Sequence, residues 1–349
     1  MISEPPVAPS EDDEPPIRST TTPPASNNTR EALYERTARL YDRVATQVSS
    51  RLIATYSTSF TVSTRLLSPR VRHDIHNLYG VVRIADEVVD GAAAGHGLTP
   101  HQVQAILDDY EQRIVEGITI GFSTDPIIHA FITTARTCRI DPAHLSAFFR
   151  SMRADVAFSP DNQPNDHHRR GSLKNPTVMI RAIDAPTTIY DANTRHDYVY
   201  GSAEVIGLMC LSIFLRDESP SAHDRETMET GARHLGAAFQ KINFLRDYAL
   251  DIDGLNRDYV ADGAPLTDEL KDSLLQEIYH DLTIAQHAIP LLPISSRIGV
   301  RAVHDLFAGL AHSLDRAPAS TVRSTRVRTR NVKKVFILAQ SIGRGRRRE

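Results

Sequence analysis

The sequence predicts an all-α chain, and three observations carry that prediction. From Glu31 onward, apolar residues recur at three- and four-residue spacing in nine successive segments. Strict apolar/polar alternation, the mark of a half-buried strand, is scarce. Some segments open on a capping side chain followed by a first-turn proline, as at Thr99-Pro100 and Asp141-Pro142.

In chain order, helices are predicted over 31–54, 70–90, 99–116, 125–138, 142–156, 195–215, 222–253, 267–289 and 297–315. The first begins where a proline-rich stretch stops. The second carries Ile75, Leu78, Val81, Val82, Ile84, Ala85, Val88 and Val89 around most of its circumference. The segments from 99 and 142 have the caps just named. The 195–215 segment holds the apolar run Val205, Ile206, Leu208, Met209, Leu211 and Ile213. The 222–253 segment holds Leu235, Ala237, Ala238, Phe239, Ile242, Leu245, Ala249 and Leu250. The other three rest on spacing alone.

Composition sets the domain plan. The chain has 349 residues, 41% of them hydrophobic, enough for a substantial core. Residues 1–30 hold seven prolines and the acidic cluster Glu11 to Glu14, and are expected to be a disordered tail. Residues 31–320 are expected to form one all-α domain. Within it, 159–186 reads as a polar loop insertion, with Pro160, Pro164, Pro176 and Pro186 around Asp166-His167-His168-Arg169-Arg170. Residues 321–349 form a basic tail, with ten Lys or Arg from Arg323 onward against one acid, Glu349. Net charge is only -3. Cys138 and Cys210 make no disulfide framework. The start lacks a secretory pattern, and no stretch approaches the roughly 18 uninterrupted apolar residues of a membrane span. A soluble or peripheral protein is expected.

The chemistry lies in two acid-bearing helices. At about 100° per residue, Tyr79, Arg83, Asp86 and Asp90 share one narrow sector of the second segment. Gln240, Asn243, Asp247 and Asp251 share another on the 222–253 segment, with Phe244 beside them and Arg246 off to one side. A solvated charged face is the usual meaning of acids on a helix. Here the rest of each wheel is largely apolar, so the polar stripe faces inward. Two carboxylates about 5 Å apart repel by roughly 3 kcal/mol at an effective dielectric of 20. Such a cluster must gain protons, pair with bases or bind cations. Mg²⁺ suits it, since that ion combines one or two carboxylates with waters and phosphate oxygens; Mn²⁺ is the alternative. The scattered histidines, His167-His168 included, give no zinc pattern.

At these residues the chain resembles a known family, the squalene and phytoene synthases, which join two prenyl diphosphates head to head. Tyr79 to Asp90 resembles the family's first aspartate motif and Gln240 to Asp251 its second. Tyr56-Ser57-Thr58-Ser59-Phe60 is similar to its Ser/Phe segment, and Met152 to Asp155 to its Met-x-x-Asp motif. Tyr200 to Gly207 resembles its small-residue helix, and Arg257-Asp258-Tyr259 its Arg-x-Tyr. The chain departs from the pattern at Glu204, where Gly is common, at the 159–186 loop, and at Ala317-Pro318-Ala319.

The resemblance implies an isoprenoid-synthase-type helical bundle around a central cavity. It implies Asp86, Asp90, Asn243, Asp247 and Asp251 as metal ligands, with Arg83 and Tyr79 joining the four aspartates in catalysis. It implies substrate contacts at Tyr56, Ser57, Ser59, Phe60, Tyr79, Arg83, Tyr200, Gln240, Asn243, Arg257 and Tyr259. The wording around Ser202 to Met209 is most like bacterial phytoene synthases. The expected reaction is therefore Mg²⁺-dependent condensation of two geranylgeranyl diphosphates, through a cyclopropyl diphosphate, to phytoene for carotenoid synthesis. No NADPH is expected, since no G-x-G-x-x-G follows a strand. The alternatives are a farnesyl-using dehydrosqualene or squalene synthase and a non-catalytic assembly protein. Head-to-tail synthases and terpene cyclases carry denser DDxxD clusters. Expected partners are prenyl diphosphates and downstream carotenoid enzymes, with no nucleic acid. The expected location is cytoplasmic, with the basic tail able to rest on the inner face of a membrane.

Overall fold

The computed structural model describes residues 27–90, 92–157, 188–255 and 257–326. The expected N-terminal tail, the 159–186 loop and most of the basic tail lie outside these. The chain divides into two compact units, Met1–Tyr41 and Asp42–Glu349. The described part of the first is helical, with Arg39 paired to Glu35 at 3.1 Å. All that follows concerns the second.

The helices run α1 (Asn27–Tyr56), α2 (Thr58–Thr64), α3 (Pro69–Val89), α4 (Ala92–Gly95), α5 (Pro100–Ile120), α6 (Pro126–Cys138) and α7 (Pro142–Ala157). Then come α8 (Ala192–Val199), a π-helical turn (Tyr200–Glu204), α9 (Val205–Phe214), α10 (Ala222–Leu255), α11 (Asp268–Ala288), α12 (Ile294–Asp315) and α13 (Ala319–Val322). All nine expected helices are present. The predicted starts have a visible cause. Thr99 accepts from the Gln102 amide while Gln102 answers the Thr99 amide, a reciprocal cap. Asp141 accepts from the Ala143 amide at 2.8 Å.

Among the described residues, strand is limited to β1 (Thr188–Ile189) and β2 (Arg257–Asp258), paired in parallel. Two residues are too few to show alternation in a sequence. Short as it is, this pair sets Tyr190 beside Tyr259, with ring centroids 4.6 Å apart.

Two apolar cores fill this unit. The first joins α3, α5, α6, α7 and α9 through Phe131, Phe148, Phe149, Met209 and Ile213. The second joins α10, α11 and α12 through Ile242, Leu245, Leu274, Ile278 and Leu314. The run from α8 to α9 passes from one to the other: Tyr198 and Val199 belong to the second, Val205 and Met209 to the first. The π turn sits at the crossing, and such turns recur at functional sites. Asn193–Phe214 is long and apolar enough, by length and composition, to cross a membrane. Here it packs against α7 and α10 as a core helix. Glycine makes that packing possible. A Cβ on Gly201 would lie 1.9 Å from Ser151 Oγ, and one on Gly207 would lie 2.3 Å from Ala232 O.

Candidate active site

The acid stripe of α3 is half-buried, flanked by buried Leu78, Val81 and Ala85. Asp86 keeps 32% of its side-chain surface. Even so, burial, reinforced by Asp90 and opposed by Arg83, pushes its carboxyl up to about 8. Arg83 pairs with Glu87, lies 3.8 Å from Asp86, and sets its guanidinium 4.5 Å from the centre of the Tyr56 ring. Tyr79 is half-buried, and burial raises its phenol. Its ring is 6.2 Å from Phe60, which is 6.1 Å from Phe307. Ser57 caps α2 by accepting from the Phe60 amide. The Ser59 side chain is outside the described residues.

On α10, Asp251 is pushed up to about 8 by burial and then by Asp247, with Arg257 opposing. Asp247 is bonded by Arg246 and by Arg326. Asn243 Oδ1 is buried with no hydrogen-bond partner. Gln240 lies half-buried one turn before it. An acceptor held buried and unpartnered costs stability, about 1–3 kcal/mol. It suits a cation or a metal-bound water.

A buried junction ties the two stripes together. Arg257 Nη1 donates to Asp90 Oδ1 at 3.2 Å and stands 3.8 Å from Asp155 Oδ2. Asp155 accepts the hydroxyls of Tyr190 (2.9 Å), Tyr198 (2.8 Å) and Tyr259 (3.1 Å). Burial raises the Asp155 carboxyl, with Arg257 and the tyrosine donors opposing. The phenols are raised in turn, by burial first and by Asp155 next. Asp90 and Asp155 act on both Asp86 and Asp251, so one electrostatic field joins α3 to α10.

The structure thus brings Asp86, Asp90, Asp251 and Arg257 into one charge network, with Asp247 coupled to Asp251. Tyr259 turns its hydroxyl to Asp155 and stacks on Phe244 at 4.6 Å. Tyr200 stands on the π turn, 5.6 Å from the Arg233 guanidinium. Arg233 also pairs with buried Glu204 at 2.8 Å. The sequence reading left out Tyr190, Tyr198 and Arg326. It saw Asp155 only as part of a motif. Three phenols on one carboxylate depend on the β1–β2 pairing and on a contact across the α7–α8 connection, neither of which has a local signal.

Among the described residues, no three His, Cys, Asp or Glu side chains converge on one point as a ready-made metal cage. Mg²⁺ does not require one, because waters and phosphate oxygens complete its shell. Paired carboxylates with raised affinity for protons, beside an unpartnered Asn243 oxygen, fit such an ion.

Comparison with known proteins agrees with this geometry. A squalene/phytoene synthase family model matches residues 53–333. A bifunctional lycopene cyclase/phytoene synthase of Phycomyces blakesleeanus is 25% identical over 82% of this chain and 48% of its own length. Phytoene synthase 1 of Solanum lycopersicum is 27% identical over 60% of this chain and 42% of its own. The chain therefore spans about half, or less, of the length of the curated relatives it matches. A dehydrosqualene synthase crystal structure aligns with a TM-score of 0.66 at 16% identity, over 87% of this chain and 97% of that one. A squalene synthase from Alicyclobacillus acidocaldarius aligns with a TM-score of 0.56 at 16% identity, over 79% of this chain and 95% of that one. The neighbours share the helical fold, and the match from residue 53 to 333 shows that this chain belongs to the squalene/phytoene synthase family.

Proposed function

We propose that this chain joins two prenyl diphosphates head to head, with geranylgeranyl diphosphate as the substrate and phytoene as the product. One observation carries the reading: the acid stripes of α3 and α10 meet in a single buried charge network through Arg257 and Asp155.

Divalent cations bound there would neutralise the diphosphate as it leaves. Asp86, Asp90, Asp247, Asp251 and Asn243 would hold them. Arg83 lies beside the first pair and offers a guanidinium to phosphate oxygens. Arg257 is buried and already committed to Asp90 and Asp155, so it fixes the spacing of the two acid motifs. The ring series Tyr79, Phe60, Phe307 and Phe239 offers π faces to an allylic cation. Val205, Met209 and Ile213 are fully buried and give the neighbouring wall its apolar backing. The reading includes a cytoplasmic location with peripheral membrane contact, which would suit a hydrocarbon product.

The test is product analysis by mass after incubating the full chain with Mg²⁺ and geranylgeranyl diphosphate, without NADPH. Phytoene is expected. A C30 hydrocarbon, formed only from farnesyl diphosphate, would reject the substrate while keeping the reaction class. No hydrocarbon from either would reject catalysis.

A further inference from the structure

Asp247 differs from the other motif aspartates in carrying two guanidinium groups. Arg246 Nε donates to both carboxylate oxygens at 3.1 Å, and its Nη2 bonds Oδ2 as well. Arg326 Nε stands 2.6 Å from Oδ1, and its Nη2 donates to Oδ2 at 3.4 Å. A carboxylate offers about four lone-pair sites. Those of Asp247 are taken, so an incoming cation must displace a donor.

The two arginines are not equivalent. Arg246 is fixed beside Asp247 on α10. Arg326 lies at the end of a strap that follows α12. Lys271 Nζ pins that strap at Ala317 O (2.9 Å), and Ala319 N donates to Asp268 Oδ1 (2.7 Å). Ala319 and Val322 are buried, and Arg323 Nη1 donates to Leu266 O (2.9 Å). Beyond Arg323 the backbone bonds are local: the Ser324 and Thr325 amides both donate to Thr321 O. Arg326 keeps 45% of its side-chain surface, while Asp247 keeps 16%. The anchor is therefore firm up to Arg323. The last step onto Asp247 hangs on one half-exposed side chain.

We propose that Arg326 is a built-in counterion, which covers Asp247 in the metal-free enzyme and is displaced when a divalent cation and a diphosphate bind there. This rests on the reading of Asp247 as a cation ligand. Electrostatics gives the device its sense. Without a cation, Asp247 and Asp251 repel one turn apart, and Arg326 offsets that repulsion. When a cation takes over the task, the strap end is released. Linkage makes the effect reciprocal: whatever holds Arg326 on Asp247 weakens cation binding by the same factor.

The test is calorimetric titration of the full chain with Mg²⁺ in the presence of inorganic diphosphate, comparing wild type with Arg326→Gln and Arg326→Lys. Arg326→Gln should bind Mg²⁺ roughly two- to fivefold more tightly, the range for losing a half-exposed ion pair. Arg326→Lys should stay nearer wild type, and the difference should shrink at high salt. Amide exchange gives a second readout. In wild type, exchange at Ser324 and Thr325 should quicken when Mg²⁺ and diphosphate are added; in Arg326→Gln it should be fast from the start. Equal Mg²⁺ affinity in wild type and Arg326→Gln, with exchange unmoved, would overturn the counterion role and leave the diphosphate site standing. No Mg²⁺ uptake by either protein would overturn both.

Discussion

Asp86 and Asp251 each hold a proton up to about pH 8 in the folded chain, against 3.8 for an ordinary aspartate. Between those values the folded state binds more protons than the unfolded one, so stability falls as pH rises. His76 runs the other way. Burial, then His73 and Arg72, lowers it from 6.5 to about 4, so its contribution is lost as pH falls through that range. Above 6.5 the two carboxyls act alone. The melting temperature of the metal-free protein should therefore drop from pH 6.5 to pH 8, and the double variant Asp86→Asn, Asp251→Asn should flatten the drop. A flat wild-type profile would mean that both carboxylates are already ionised without a cation. For catalysis, Asp86→Ala and Asp247→Ala should each cut turnover by about a thousandfold or more, the scale of several kcal/mol of lost charge stabilisation. Circular dichroism should show the fold intact. Asp155→Ala should behave differently. It strands three buried phenols and the Arg257 guanidinium. At about 1–3 kcal/mol per stranded group, urea denaturation should show a loss of several kcal/mol, and a loss under 1 kcal/mol would sink the assigned role of Asp155.

Helices with a long apolar period were legible in the sequence, because each buries a face and the period records it. The caps at Thr99 and Asp141 were legible because a single side chain performs them. The π turn at Tyr200–Glu204 was not. Its cause lies in neighbours, since Gly201 must pass Ser151 and Gly207 must pass Ala232. The small residues there resembled a passage for substrate, yet these two glycines are spent on bringing helix backbones together. Gly201→Val should therefore destabilise the fold by about 1–3 kcal/mol, the cost of overpacking a tight contact. Thermal melting would check it, and an unchanged midpoint would show that the contact yields freely.

Across the second unit, the acid stripes were readable as stripes because their four-residue spacing is local. That they meet was not readable, since the meeting depends on Arg257, Asp155 and three tyrosines drawn from distant segments. Arg326 was seen only as one cation in a basic tail, whereas the fold delivers it to Asp247, 79 residues away in sequence. The acid motifs are thus part of a larger electrostatic unit spanning α3, α7, α10 and the strap after α12. Its members are coupled, so double-mutant effects between Asp90 and Arg257 should depart from additivity.

The most direct test of paired acid motifs as one cation and diphosphate site is an anomalous difference map from crystals soaked with Mn²⁺ and a non-reactive prenyl diphosphate. Ions beside Asp86 and Asp90 and beside Asp247 and Asp251, with phosphate oxygens between them, are predicted. Manganese found only elsewhere, with the four carboxylates turned to solvent, would contradict it.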